Sequence, residues 1–202
     1  MADINHQGLV QIFTGNGKGK TTSSLGLCLR AIGQGFNAYV IQFLKSGDTG
    51  ELFSVKKYLP NMTIVQFGRQ ALLEKQTRVF EFSGKEEIKA RGPKSGKYFY
   101  FPPDADEAEP CRRALEHAFT IVKSGEYNIV VLDEVNCALS KNLIEISEVI
   151  RLIDEKPKHV ELILTGRNVP KEIIEKSDLV SEVREIKHPW HKGVLARRGI
   201  EY

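Results

Sequence analysis

Short apolar runs alternate with stretches of helical spacing along this chain. The run at 9–13 reads as a short buried strand, and a glycine-rich segment follows it directly. Beyond that segment Leu25, Cys28, Leu29 and Ile32 recur at i, i+3, i+4 and i+7, the spacing of one helix face. Gly33 and Gly35 then stop the helix. Two further runs rich in β-type residues, 38–44 and 63–67, read as strands. Helical spacing returns over 104–124, with Cys111, Leu115, Ala118 and Val122 on one side. Residues 128–132 read as a strand ending in Asp133 and Glu134, and Ile146, Val149, Ile150 and Ile153 mark the next helix. Another strand, 160–164, runs into Thr165, Gly166 and Arg167; a short helix follows Pro170, and a last strand lies near 179–186. Strands alternating with helices predict one α/β domain over 1–202, with a mostly parallel sheet and helices on both faces.

Between Gly68 and Pro103 the pattern breaks down. Lys, Arg and Glu mix with Gly84, Gly92, Pro93 and Gly96, and the stretch ends in Tyr98, Phe99, Tyr100 and Phe101. Loops this long in compact domains are usually functional or disordered, so 68–103 is read either as a mobile loop or lid, or as a surface insertion.

Composition narrows the class. A chain of 202 residues buries a substantial core without disulfides. Its three cysteines, Cys28, Cys111 and Cys137, are far apart and form no C-x-x-C pair, which suits a reducing cytosol and argues against a zinc site. A net charge of +3 permits an anionic ligand but is too small for a dedicated nucleic-acid binder. With no bilayer-length apolar run and no leader-like N-terminus, the expected location is cytoplasmic, away from membranes.

The chemistry is concentrated after the first strand. Thr14, Gly15, Asn16, Gly17, Lys18, Gly19, Lys20, Thr21 and Thr22 follow the Walker A pattern, G-x-x-x-x-G-K-[ST], with Thr14 where the first glycine usually stands. Glycines let successive N–H groups point inward at phosphate oxygens, and the following helix adds the positive end of its dipole. Lys20 brings a full charge, and the Thr21 hydroxyl can ligate magnesium. A triphosphate carries about four negative charges near neutral pH, so convergent donors and a divalent cation are a physical requirement. The strand ending in Asp133 and Glu134 would deliver carboxylates beside that metal, in the Walker B manner. In a doubly wound sheet both motifs lie at the C-terminal strand ends. The expected fold is therefore the P-loop NTPase type, RecA-like, with ATP and magnesium (or manganese) bound.

Several strings occur in a fixed order: TGNGKGKTT at 14–22, RAIGQG at 30–35, VIQFLK at 40–45, VLDE at 131–134, LTGR at 164–167, SDLVSE at 177–182, KHPW at 187–190, GV at 193–194 and RGIEY at 198–202. Together they resemble the P-loop-type ATP:cob(I)alamin (corrinoid) adenosyltransferases of vitamin B12 synthesis and salvage. The resemblance implies transfer of the 5′-deoxyadenosyl group of ATP to the cobalt(I) of a corrinoid, with release of triphosphate. Cobalt is then the nucleophile, and the protein supplies positioning and charge stabilisation. The family binds its nucleotide reversed relative to most P-loop proteins, which keeps C5′ pointed outward. By motif matching Lys20 would bind phosphate, Thr21 and Glu134 magnesium, with Asp133 as a supporting carboxylate and Arg167 reaching the phosphates. Tyr98, Phe99, Tyr100 and Phe101 sit where the family places an aromatic wall against the corrinoid, though they depart from its phenylalanine and tryptophan string; packing of a loop onto the core is the other reading. The resemblance also implies an electron-donating reductase, a homodimer and an N-terminal segment over the corrinoid. Few residues precede Leu9, so that lid is expected to be short or absent, with 68–103 as its substitute.

Other residues tempt less. His188 and His191 flank Trp190 without an adjacent third ligand, so a packed C-terminal segment is expected. Cys137 reads as a small buried residue, and 172–176 as a solvated helix face. Two rival activities remain at this level: a kinase or ATPase acting at the γ-phosphate, and a RecA-like nucleic-acid motor.

Overall fold

The computed structural model describes residues 7–45, 47, 49–68 and 107–201. The segment expected as a lid lies outside them except for Gly68, and so do Tyr98, Phe99, Tyr100 and Phe101.

The strands are β1 (Val10–Thr14), β2 (Ala38–Phe43), β3 (Met62–Phe67), β4 (Ile129–Asp133), β5 (Glu161–Thr165) and β6 (Leu179–Glu182). They form one sheet in the order β3-β2-β4-β5-β1-β6, with every neighbouring pair parallel. The helices are α1 (Lys20–Ile32), α2 (Gly50–Tyr58), α3 (Ala108–Ser124), α4 (Val135–Ser140), α5 (Ile146–Asp154) and α6 (Lys171–Glu175). This is the expected P-loop-type α/β architecture.

The two-residue period of the strands distributes the core between two layers. Ala38, Val40, Ile129, Val131 and Ile163 face one side, where they meet Cys28 and Ala31 of α1. Tyr39, Ile41, Phe43, Val130, Leu132, Leu162 and Leu164 face the other, against α3 and α5. Because both faces are covered, β2, β4 and β5 are buried at every position. That explains why they read as continuous apolar runs rather than as alternating ones.

Some expectations shift. The last strand stops at Glu182 instead of 186, and Ile186 is 93% exposed. Leu29, placed on the apolar face of α1 by its spacing, is 57% exposed; the stripe that the sheet covers is Lys20, Ser24, Cys28 and Ala31. Helices α2 and α4 and the 3-10 turn Pro189–Lys192 have no counterpart in the sequence reading. The arrangement matters because β5 lies between β1 and β4, so the glycine loop and the acid pair open onto a common C-terminal edge.

Candidate functional site

The loop after β1 is fastened at its base and open at its tip. Thr14 pairs with Glu182 in the sheet, and its carbonyl accepts from Val183 N at 2.8 Å. Gly15 has φ 98°, and a Cβ there would lie 2.4 Å from the Val183 carbonyl oxygen. Gly17 N donates to the same oxygen at 2.8 Å, and the Asn16 side chain accepts from Glu185 N at 3.0 Å. Gly19 differs: its φ is 125°, yet a Cβ there would meet nothing within 4 Å. At Gly19 glycine serves the backbone turn and leaves the space before it free.

That space is a cavity of about 1080 Å³. Residues 16–22 line it, joined by Glu134, Arg167, Lys45 and the C-terminal residues His188, Trp190 and Glu201. Thr14 and Gly15 are not part of its wall; they hold the loop from below. Lys20 opens α1 and its ammonium donates to Gly17 O at 2.8 Å, curled over the loop. Burial pushes that ammonium below its ordinary value, while Glu134 and Asp133 pull it back up. Lys18 is paired with Glu201 at 2.8 Å, and both residues line the cavity.

Asp133 is the electrostatic centre. Its side chain is fully buried, and its Oδ1 accepts from the hydroxyls of Thr21 at 2.8 Å and Thr165 at 2.6 Å. Its Oδ2 accepts from Lys45 Nζ at 2.6 Å and Gln42 Nε2 at 3.1 Å. Thr165 ends β5, the strand between β1 and β4, and thus bridges the two halves of the site. Its hydroxyl also accepts from Glu134 N at 3.0 Å. Glu134 has φ 65°, a left-handed turn that aims its side chain into the cavity instead of along the strand.

Three tempting side chains find structural roles. Cys137 Sγ accepts from Arg167 N at 3.2 Å, and burial pushes its thiol up to about 12, so it is no poised nucleophile. His191 pairs with Glu185 at 2.6 Å, and His188 Nδ1 accepts from Trp190 N at 3.2 Å. Among the described residues no group of three or more His, Cys, Asp or Glu could hold a metal ion, and no helix is long and apolar enough to cross a membrane.

With this geometry in view, the comparisons with known proteins converge. The model of the family described as ATP:corrinoid adenosyltransferase BtuR/CobO/CobP matches residues 6–202. The chain belongs to that family. It is 33% identical over 200 residues to a corrinoid adenosyltransferase of Sinorhizobium sp, covering 98% of this chain and 82% of the relative. It is 31% identical over 200 residues to a corrinoid adenosyltransferase of Escherichia coli strain K12, covering 98% and 87%. It is 32% identical over 198 residues to the corrinoid adenosyltransferase CobA of Salmonella typhimurium, covering 97% and 86%.

For this adenosyltransferase-family chain, the donor set fits magnesium. A hydroxyl and two carboxylates are hard oxygen donors, and magnesium is commonly held by one or two carboxylates with substrate phosphates completing its shell. The Lys45 ammonium sits on the Asp133 carboxylate at 2.6 Å. Lys45, Gln42 and Thr165 are the site residues the motif reading assigned no role. They stand in the strings VIQFLK and LTGR, at or just beyond the C-terminal ends of β2 and β5, where a doubly wound sheet gathers its ligands.

Proposed function

We propose that this protein moves the 5′-deoxyadenosyl group of ATP onto the cobalt of a reduced corrinoid and releases triphosphate. The observation that carries the reading is the family match over 6–202, which includes the glycine loop, the acid pair and the C-terminal wall in one alignment. In the reaction the cobalt(I) electron pair attacks C5′ and a cobalt–carbon bond forms. The C5′–oxygen bond breaks, and its electrons leave with the triphosphate. An electron donor outside the chain must supply cobalt(I), and a homodimer is the proposed assembly.

The chain's residues meet the demands of that step. The loop N–H groups other than that of Gly17, which donates to the Val183 carbonyl, would hold the leaving triphosphate as its charge grows, together with the α1 N-terminus and Lys20. Magnesium supplies further neutralisation of that charge when bound by Thr21 and Glu134, with Asp133 fixing the Thr21 hydroxyl. Arg167, exposed and lining the cavity, would reach phosphate oxygens. With the phosphates in the nest, the ribose can face the open side, where an attacking metal arrives. Nothing in this sequence of events asks for a protein nucleophile, which agrees with the inert thiol of Cys137.

The test is an anaerobic incubation with cobalt(I) cobalamin and magnesium ATP, followed in the visible spectrum. Formation of a light-sensitive alkylcorrinoid is expected. ADP formation without corrinoid would favour a kinase or ATPase, and stimulation by single-stranded DNA a nucleic-acid motor.

A further inference from the structure

The residue that stands out beyond the two motifs is Lys45. Its ammonium contacts the fully buried Asp133 at 2.6 Å and lies 3.5 Å from the Thr21 hydroxyl, while its own side chain is 26% exposed. A carboxylate without solvent is costly unless paired. The other groups in contact with Asp133 are the hydroxyls of Thr21 and Thr165 and the Gln42 amide, all neutral. Among the described residues Lys45 is the one cation in contact with it.

Lys45 is also held in place with some effort. The preceding Leu44 adopts φ 58°, a left-handed conformation that a branched side chain resists, and it turns the chain back over the strand ends. Gly68 packs against the Lys45 backbone so closely that a Cβ there would lie 2.2 Å from the Lys45 carbonyl oxygen. An amide relay ties the following loop to the same carboxylate. Gln42 donates to Asp133 and accepts from Gln66 at 2.8 Å, and Gln66 accepts from Gly47 N at 2.9 Å. Backbone strain, a tight approach and a buried polar chain all converge on one ammonium.

We propose that Lys45 is a positioning residue: its ammonium neutralises the buried Asp133 carboxylate, which in turn holds the Thr21 hydroxyl where that hydroxyl receives magnesium. A magnesium ion brought to Thr21 and Glu134 competes with the ammonium for the negative charge of Asp133, so the site stays nearly closed to free magnesium. It opens when a triphosphate brings further oxygen ligands and a counter-charge. The inference rests on the magnesium role proposed above, but not on adenosyl transfer.

The test uses the full chain without nucleotide or corrinoid, with magnesium chloride as the probe. Thermal midpoints are measured in EDTA and across a magnesium series for the wild type, Lys45→Met, Lys45→Gln and Lys45→Arg. Lys45→Met and Lys45→Gln are expected to melt a few degrees lower in EDTA, because the carboxylate has lost its counter-charge. Both are expected to recover with magnesium alone, binding it on the order of tenfold more tightly than the wild type. Lys45→Arg, which keeps a cation, is expected to follow the wild type. The glutamine variant decides the matter should the methionine variant fail to fold. Equal magnesium responses in the four proteins, or none in any, overturn the proposal. Loss of adenosyl transfer alone leaves it standing, and its own failure leaves the transfer reading standing.

Discussion

At the scale of single residues, the site separates into groups that face the cavity and groups that fix them. Lys20 belongs to the first kind, with its charge at the mouth of α1. Replacing it by alanine removes one strong donor from the path of the developing charge. Lys20→Ala is expected to lose about 3 kcal/mol of transition-state stabilisation, roughly a hundredfold in kcat/KM. A steady-state assay of the variant checks this, and turnover near that of the wild type would refute the placement. Asp133 belongs to the second kind, being fully buried and engaged by four donors. The two carboxylates at the end of β4 therefore have different surroundings despite their adjacency. The strand-end pattern located both, and the family resemblance divided their expected roles, with Glu134 toward magnesium and Asp133 in support. The difference in surroundings comes from the left-handed turn at Glu134 and from Thr165 reaching across from β5.

At the scale of elements, the glycines of the loop separate by what lies against them. Gly15 sits under the segment after β6 in a left-handed conformation, whereas Gly19 is left-handed but free on its open side. Gly15→Ala is expected to cost more than about 2 kcal/mol of stability in urea unfolding, since conformation and collision both oppose it. Gly19→Ala is expected to cost less stability and to weaken ATP binding more, measured by calorimetry. Helix α3 carries a pH-sensitive contact: His117 lies 2.7 Å from the Tyr39 hydroxyl and beside Phe67, and burial holds its imidazole below the ordinary 6.5. The folded protein thus resists a proton that the unfolded chain accepts, so this contribution is complete above about pH 7 and is lost as the pH falls below 6.5. Unfolding free energies between pH 7.5 and 5.5 should fall, and His117→Phe should flatten the decline.

The elements that were legible are those with buried, periodic surfaces. The strands β2, β4 and β5 are covered on both faces and announce themselves as apolar runs. Helix α2 buries none of its residues and leaves no apolar period to read, and α4 has six residues, too few for one. Leu29 shows the limit of periodicity, which groups apolar positions but does not say which of them the sheet covers. Lys45 was hidden for a different reason. Its importance comes from the pairing of β2 with β4 and from the reversal at Leu44, both properties of the folded chain.

At the scale of the whole molecule, the sheet order gathers separate stretches around one cavity: the loop after β1, the turn after β2, the tips of β4 and β5, and the C-terminal segment. The segment after β6 closes the far wall through Val183, Glu185 and Glu201, each bonded to the glycine loop. Attack at C5′ would release the phosphates held there as one unit, whereas attack at the γ-phosphorus would split them, and that difference separates adenosyl transfer from phosphoryl transfer. The most direct measurement is a phosphorus NMR spectrum of the products formed from magnesium ATP and cobalt(I) cobalamin under anaerobic conditions. The account predicts resonances of intact inorganic triphosphate, in step with alkylcorrinoid formation. ADP with orthophosphate, or AMP with pyrophosphate, as the principal products would contradict it.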